Sequence, residues 1–185
     1  AVATAVNARM QNAGQSCIAA KRFLVHENIA EEFVAKFKVA IQNLKTGNPF
    51  DKEMQIGSLA RVDLAEELEA QVQKSIQMGA DLIVGGTRKE AFYEPTILTN
   101  VTTEMPVFKE ETFGPVAAII TFKTIEEAIE LSNQSEFGLG VSIFTQDIDF
   151  IKTKIPSFNE GAFFINDMVK SDPRLPFGGI KKSGY

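Results

Sequence analysis

Val116-Ala117-Ala118-Ile119-Ile120-Thr121-Phe122 is a continuous apolar run. It fits a strand covered on both faces, as in a parallel sheet flanked by helices. Short apolar runs of the same kind flank it on both sides. Lys21 to His26, Asp81 to Val84, Glu94 to Leu98, Val141 to Phe144 and Gly161 to Ile165 all read as strands. Pro95 argues that its strand begins there or lies on a sheet edge. Between these runs the apolar period changes to that of a helix. Ile29, Phe33, Phe37, Ala40, Ile41 and Leu44 form one stripe, and Ala65, Leu68, Val72 and Ile76 form another. Strands alternating with helices predict an α/β domain with a largely parallel sheet.

Boundary signals support these elements. Asn28-Ile29-Ala30-Glu31 and Thr124-Ile125-Glu126-Glu127 read as capping boxes opening helices. Gly79 is a natural terminator for the helix over residues 62–78. Gly85-Gly86 and Gly138 to Gly140 are turns, and residues 47–57 form a loop. Asp147 to Ile155 reads as a short helix closed by Pro156, and Ala1 to Gln11 as an alanine-rich helix.

The 185 residues suffice for one domain with a substantial core. With 44% hydrophobic and 23% charged residues, the chain has the balance of a folded rather than a disordered protein. A net charge of −5 gives nucleic-acid binding no electrostatic support. No apolar stretch approaches the roughly 18 residues needed to cross a bilayer. A single cysteine, Cys17, cannot form an intrachain disulfide, which fits a reducing compartment and a cytoplasmic location. A single histidine, His26, rules out a zinc cluster of histidine and cysteine, and no metal is expected. The chain begins inside a helical pattern without an initiator methionine and stops just after Ser183-Gly184. Both ends read as cut, so residues 1–185 are expected to be a piece of a longer protein.

Chemistry concentrates at Asn12-Ala13-Gly14-Gln15-Ser16-Cys17, between the first helix and the first strand. A turn between two elements can fix a side chain yet leave it open to substrate. By composition alone a lone cysteine is more often a small buried hydrophobe than a nucleophile. The motif shifts that balance, because it resembles the active-site cysteine motif of the NAD(P)-dependent aldehyde dehydrogenases. Two further stretches resemble the same family in the same order. Glu110-Glu111-Thr112-Phe113-Gly114-Pro115-Val116 is similar to its cofactor-contacting segment, and Pro176-Phe177-Gly178-Gly179-Ile180-Lys181-Lys182-Ser183-Gly184 to its C-terminal motif.

The resemblance implies a C-terminal, nucleophile-bearing catalytic domain whose cofactor-binding domain lies outside this chain. It implies that the Cys17 thiolate attacks an aldehyde and that the cofactor is NAD or NADP. Glu111 then matches the glutamate that accepts from the nicotinamide ribose hydroxyls, and Phe113 the aromatic residue beside the nicotinamide. Taken alone, the paired glutamates suit a solvated turn and the phenylalanine a core. The resemblance also puts the general base and the second oxyanion donor upstream of Ala1. Asn166 to Leu175 and Cys17 to Phe23 are similar to the succinate-semialdehyde dehydrogenase branch, which implies a substrate with a carboxylate at its far end. Ser171 is the first candidate for that end, with Arg174 and Lys170 after it, since serine and arginine can both bind a carboxylate. Another aldehyde, or a non-catalytic module of the same fold, stays open. Family members imply a homo-oligomer at full length. His26 reads as a strand-end residue, and Gly85-Gly86-Thr87-Arg88 as a turn rather than a phosphate loop.

Overall fold

The run from Val116 to Phe122 lies at the centre of the main sheet. A computed structural model describes residues 1–184. Strand β6 (Val116–Phe122) has parallel neighbours on both sides, β1 (Arg22–His26) and β5 (Thr96–Thr99). The fourth strand, β2 (Asp81–Val84), pairs antiparallel with β5, giving the order β1-β6-β5-β2. Residues 116–120 of β6 are all buried, as expected of a strand with cover on both faces.

Helix α1 (Val2–Met10) packs on α2 (Glu27–Gln42), which lies against β1, β2 and β6. Phe37 and Ile41 of α2 enter the core, and Phe37 stacks near Phe23 and Phe33 with ring centroids 5.3 and 5.4 Å away. Helix α3 (Val62–Gln77) buries Ala65, Leu68 and Val72 and packs on the short α4 (Pro106–Lys109). Helix α5 (Ile125–Asn133) follows β6 and returns against it.

The structure corrects several boundaries. The helix expected to be capped by Asn28 starts at Glu27. His26 caps it: its Nδ1 accepts from the Asn28 N–H at 3.2 Å, so the last strand residue doubles as the cap. Ile29 falls off the buried stripe and is 54% exposed, while Ala30 and Val34 turn inward. Of the two readings of Pro95 the strand start holds, since β5 begins one residue later and the missing N–H falls outside the ladder; the edge does not, since β5 lies between β6 and β2. The segment before it folds into an unforeseen hairpin, β3 (Arg88–Lys89) with β4 (Phe92–Tyr93).

The later strands do not join the main sheet. β8 (Val141–Ile143) pairs in parallel with β9 (Phe163–Ile165), and β7 (Phe137–Gly138) pairs antiparallel with β10 (Ile180–Lys181). Between them, α6 (Ile148–Lys154) is capped by the Asp147 side chain and runs on into a 3-10 turn through Pro156. Among the described residues, no helix is long and apolar enough to cross a membrane.

Candidate active site

The turn carrying Cys17 is built from unusual backbone. After α1 the chain makes a 3-10 turn over Gln11–Gly14, and Asn12, Ala13 and Gly14 all have positive φ, 51°, 53° and 73°. Asparagine tolerates this region and glycine has no Cβ to strain. The Asn12 side chain donates to Gln15 O at 2.9 Å, and Gln15 Nε2 donates back to Asn12 O at 3.2 Å. Gln15 Oε1 accepts from the Ala60 N–H at 2.9 Å, tying the turn to the loop before α3.

Cys17 then occupies a tight turn closed by the Ala19 N–H on Ser16 O at 3.0 Å, and its thiol is exposed. Among the described residues, its backbone N–H meets no acceptor. An open thiol beside an unengaged N–H is the arrangement that attack on a carbonyl needs: a nucleophile, and a donor for the resulting oxyanion.

Arg9 holds this turn from beneath, and composition gave no sign of it. Only 1% exposed, its guanidinium donates to Gly14 O at 2.6 Å, Ala20 O at 3.2 Å and, across the fold, Thr112 O at 3.5 Å. Burial pulls its pKa down to about 10, opposed by Glu111, so it stays charged at neutral pH. The turn and the 110–114 loop also touch directly. A Cβ on Gly14 would stand 2.2 Å from Gly114 O, so glycine is required there twice over, by φ and by contact.

This brings Glu111 and Phe113 to the Cys17 side of the molecule. Both are exposed, Phe113 at 38%, with Thr112 buried between them. Among the described residues, the Glu111 carboxylate accepts no hydrogen bond. Its backbone is held instead: Gln71 of α3 donates to Glu111 O at 3.2 Å and to the Glu110 carboxylate at 2.9 Å. A free carboxylate next to an exposed ring on one fixed loop suits a ribose diol and a nicotinamide face, so these residues fit that end of a dinucleotide.

Ser171 and Arg174 lie on a loop after β9, Arg174 in a turn closed by the Leu175 N–H on Asp172 O at 3.0 Å. The loop reaches α1 through Asn7, whose amide donates to Met168 Sδ at 3.3 Å, one residue from Ala8, whose carbonyl accepts the Ala20 N–H at 2.9 Å. The segment is thus anchored at Met168 to the helix that leads into the Cys17 turn. Ser171 is exposed, and its hydroxyl has no partner among the described residues. Arg174, 85% exposed, closes a fork on Asp172 at 2.9 and 2.6 Å and holds that carboxyl down at about 2. Lys170 is paired with Asp167. Of the three polar residues expected at the far end of the pocket, only Ser171 is unengaged.

Sequence reasoning passed over Lys21 as well as Arg9. Its Nζ is buried and, among the described residues, without a partner; burial and Arg22 push it down to about 7 against the pull of Glu111 and Glu110. Gln11 Nε2 is likewise buried and unpaired. An apolar-to-polar change at a strand start was the sole available signal for Lys21.

An α/β sheet with a thiol presented beside a braced acidic–aromatic loop narrows the class, and the chain belongs to the aldehyde dehydrogenase family, whose model matches residues 1–185. It is 48% identical to a succinate semialdehyde dehydrogenase of Escherichia coli K12, named for use of NAD(P)+, and 47% identical to a probable NADP+ succinate-semialdehyde dehydrogenase of Synechocystis. Each alignment takes in all of this chain but 41% of the relative, so the chain spans about two fifths of their length. Among solved structures, glyceraldehyde-3-phosphate dehydrogenase GapN from Methanocaldococcus jannaschii, complexed with NADP, superposes at TM-score 0.96 with 38% identity, over 100% of this chain and 40% of its own. An aldehyde dehydrogenase from Physcomitrella patens, in complex with the reaction product succinate, superposes at 0.96 with 33% identity, over 100% and 38%.

Proposed function

We propose that this chain is the nucleophile-bearing catalytic domain of a longer enzyme that oxidises succinate semialdehyde to the acid with NAD or NADP. The observation that carries the reading is the exposed Cys17, locked through Arg9 and Gly14 to the loop bearing Glu111 and Phe113. The Cys17 thiolate adds to the aldehyde carbon, and the Cys17 N–H donates to the oxygen that gains charge. Glu111 would accept from the ribose hydroxyls of the cofactor, and Phe113 would pack beside its nicotinamide. When bound, the cofactor supplies a hydride acceptor. Once the adduct has lost its hydride, water hydrolyses the resulting Cys17 thioester, releasing the carboxylic acid and freeing the thiol. The base for that step and a second oxyanion donor come from outside residues 1–185.

The choice of substrate rests on the relatives' names and on Ser171, whose free hydroxyl suits the distal carboxylate. Arg174 contributes only if it releases Asp172. A thiol nucleophile suits a reducing compartment such as the cytoplasm, and assembly as a homo-oligomer goes with the complete enzyme.

The test compares kcat/KM for succinate semialdehyde with that for simple aliphatic aldehydes in the complete enzyme. A preference for the carboxylated substrate that Ser171→Ala reduces about tenfold supports the reading, the loss of one hydrogen bond to a charged group. Equal rates across the series refute the substrate. A Cys17 inert to iodoacetamide refutes the mechanism. Glu111→Gln is expected to slow the cofactor-dependent steps while alkylation of Cys17 continues.

A further inference from the structure

Arg9 joins two segments that each carry a charge next to the contact: it donates to Ala20 O, beside Lys21, and to Thr112 O, beside Glu111, so Lys21, four residues after Cys17, and Glu111 flank one buried guanidinium. Arg9 comes from α1, Arg22 from β1, and Glu110 and Glu111 from the loop after α4. Each cation except Lys21 is engaged. Arg9 is spent on the carbonyls of Gly14, Ala20 and Thr112. Arg22 donates to Leu131 O and lies 4.8 Å over the Phe108 ring. The Lys21 ammonium is out of solvent and, among the described residues, donates to nothing. A buried ammonium without an acceptor is costly. The carboxylates show the opposite contrast. Glu110 is held by Gln71, whereas the Glu111 side chain is exposed and unpaired. An unsatisfied donor and an unsatisfied carboxylate therefore lie either side of the Arg9 guanidinium.

We infer that Lys21 is the positioning residue for Glu111: its ammonium draws that carboxylate toward the Cys17 turn and so pre-sets it for the cofactor ribose. The inference rests on Glu111 being the ribose-binding carboxylate. Lys21 touches neither substrate nor cofactor; it acts through Glu111. Because burial brings its titration to near neutrality, with Arg22 adding to the fall and the two glutamates opposing it, cofactor affinity declines as Lys21 loses its proton.

The experiment is fluorescence titration of NADH and NADPH into the complete enzyme between pH 6 and 8.5. In the native protein Kd rises above about pH 7. Lys21→Met weakens binding about tenfold at pH 6, the equivalent of one pKa unit of interaction, and flattens the profile. Lys21→Arg keeps the pH 6 affinity and also flattens the profile, since arginine stays charged. In a Glu111→Gln background, Lys21→Met has no further effect on Kd. Each variant is checked for a single cooperative melting transition. A Lys21→Met protein with unchanged Kd and pH profile overturns the inference and leaves the assignment of Glu111 standing. So does native pH dependence in Lys21→Arg. A native protein that binds neither nucleotide overturns the reading of Glu111 itself, and this inference with it.

Discussion

Gly14 has no room for a side chain. Its φ is +73° and its missing Cβ faces a backbone carbonyl, so Gly14→Ala combines left-handed strain with a clash no rotamer relieves. A loss of about 3 kcal/mol is expected in urea unfolding. A loss under about 1 kcal/mol would mean that the two loops part easily. Cys17 is the reverse case. Its side chain is exposed, so Cys17→Ala should change stability by no more than about 0.5 kcal/mol while abolishing aldehyde oxidation in the complete enzyme. Residual oxidation by that variant would sink the mechanism. Lys21 gives a pH signature in folding as well. Below about pH 7 it is charged in folded and unfolded chains alike, and its burial cost stands in full. From there up to its ordinary value of 10.5, the folded chain has shed a proton that the unfolded chain still holds, so stability rises with pH. Lys21→Met should therefore raise the melting temperature at pH 6, with the gain shrinking towards pH 10; a gain independent of pH would show that the ammonium is not the cause. Cys17, like Glu111 and Phe113, could be singled out as a candidate from sequence because it sits in a motif. Lys21 could not be, because its isolation is created by elements distant in the chain.

Among the elements, the helices and the central strand could be read closely, since their periods and caps are local. Thr124 caps α5 as its capping box suggested, accepting from the Glu127 N–H at 3.2 Å, while the Glu127 carboxylate reaches Lys123 N, one residue ahead of the cap. Thr124→Ala should cost about 1 kcal/mol by thermal melt; no loss would mean that packing on β6 holds the helix without its cap. At α2 a local signal misled. Asn28 looks like a cap, but the strand runs straight into the helix, and His26 turns its ring nitrogen to the open N–H. Short strands were legible as strands but not as partners. Two or three apolar residues, as in β8 and β9, show nothing of which sheet they enter.

For the whole molecule, the central fact is a connection between residues more than a hundred apart in sequence. Arg9 reaches Thr112 O at 3.5 Å, and that reach brings the thiol and the acidic–aromatic loop to one side of the fold. Residues 1–185 by themselves are expected to form no NAD(P)H from aldehyde, since they span about two fifths of the length of the relatives they match. Aldehyde-dependent turnover by the isolated chain would refute that. From sequence alone came the α/β class, the helix periods, the family resemblance and the choice of Cys17 as candidate nucleophile, because these depend on residue type and local spacing. Only the tertiary structure decided that β5 is interior, that the late strands stand apart, that Arg9 braces the turn and that Arg174 is closed on Asp172. Those outcomes turn on which groups are left buried or unpaired once distant segments meet, and nearest-neighbour pattern carries no record of that.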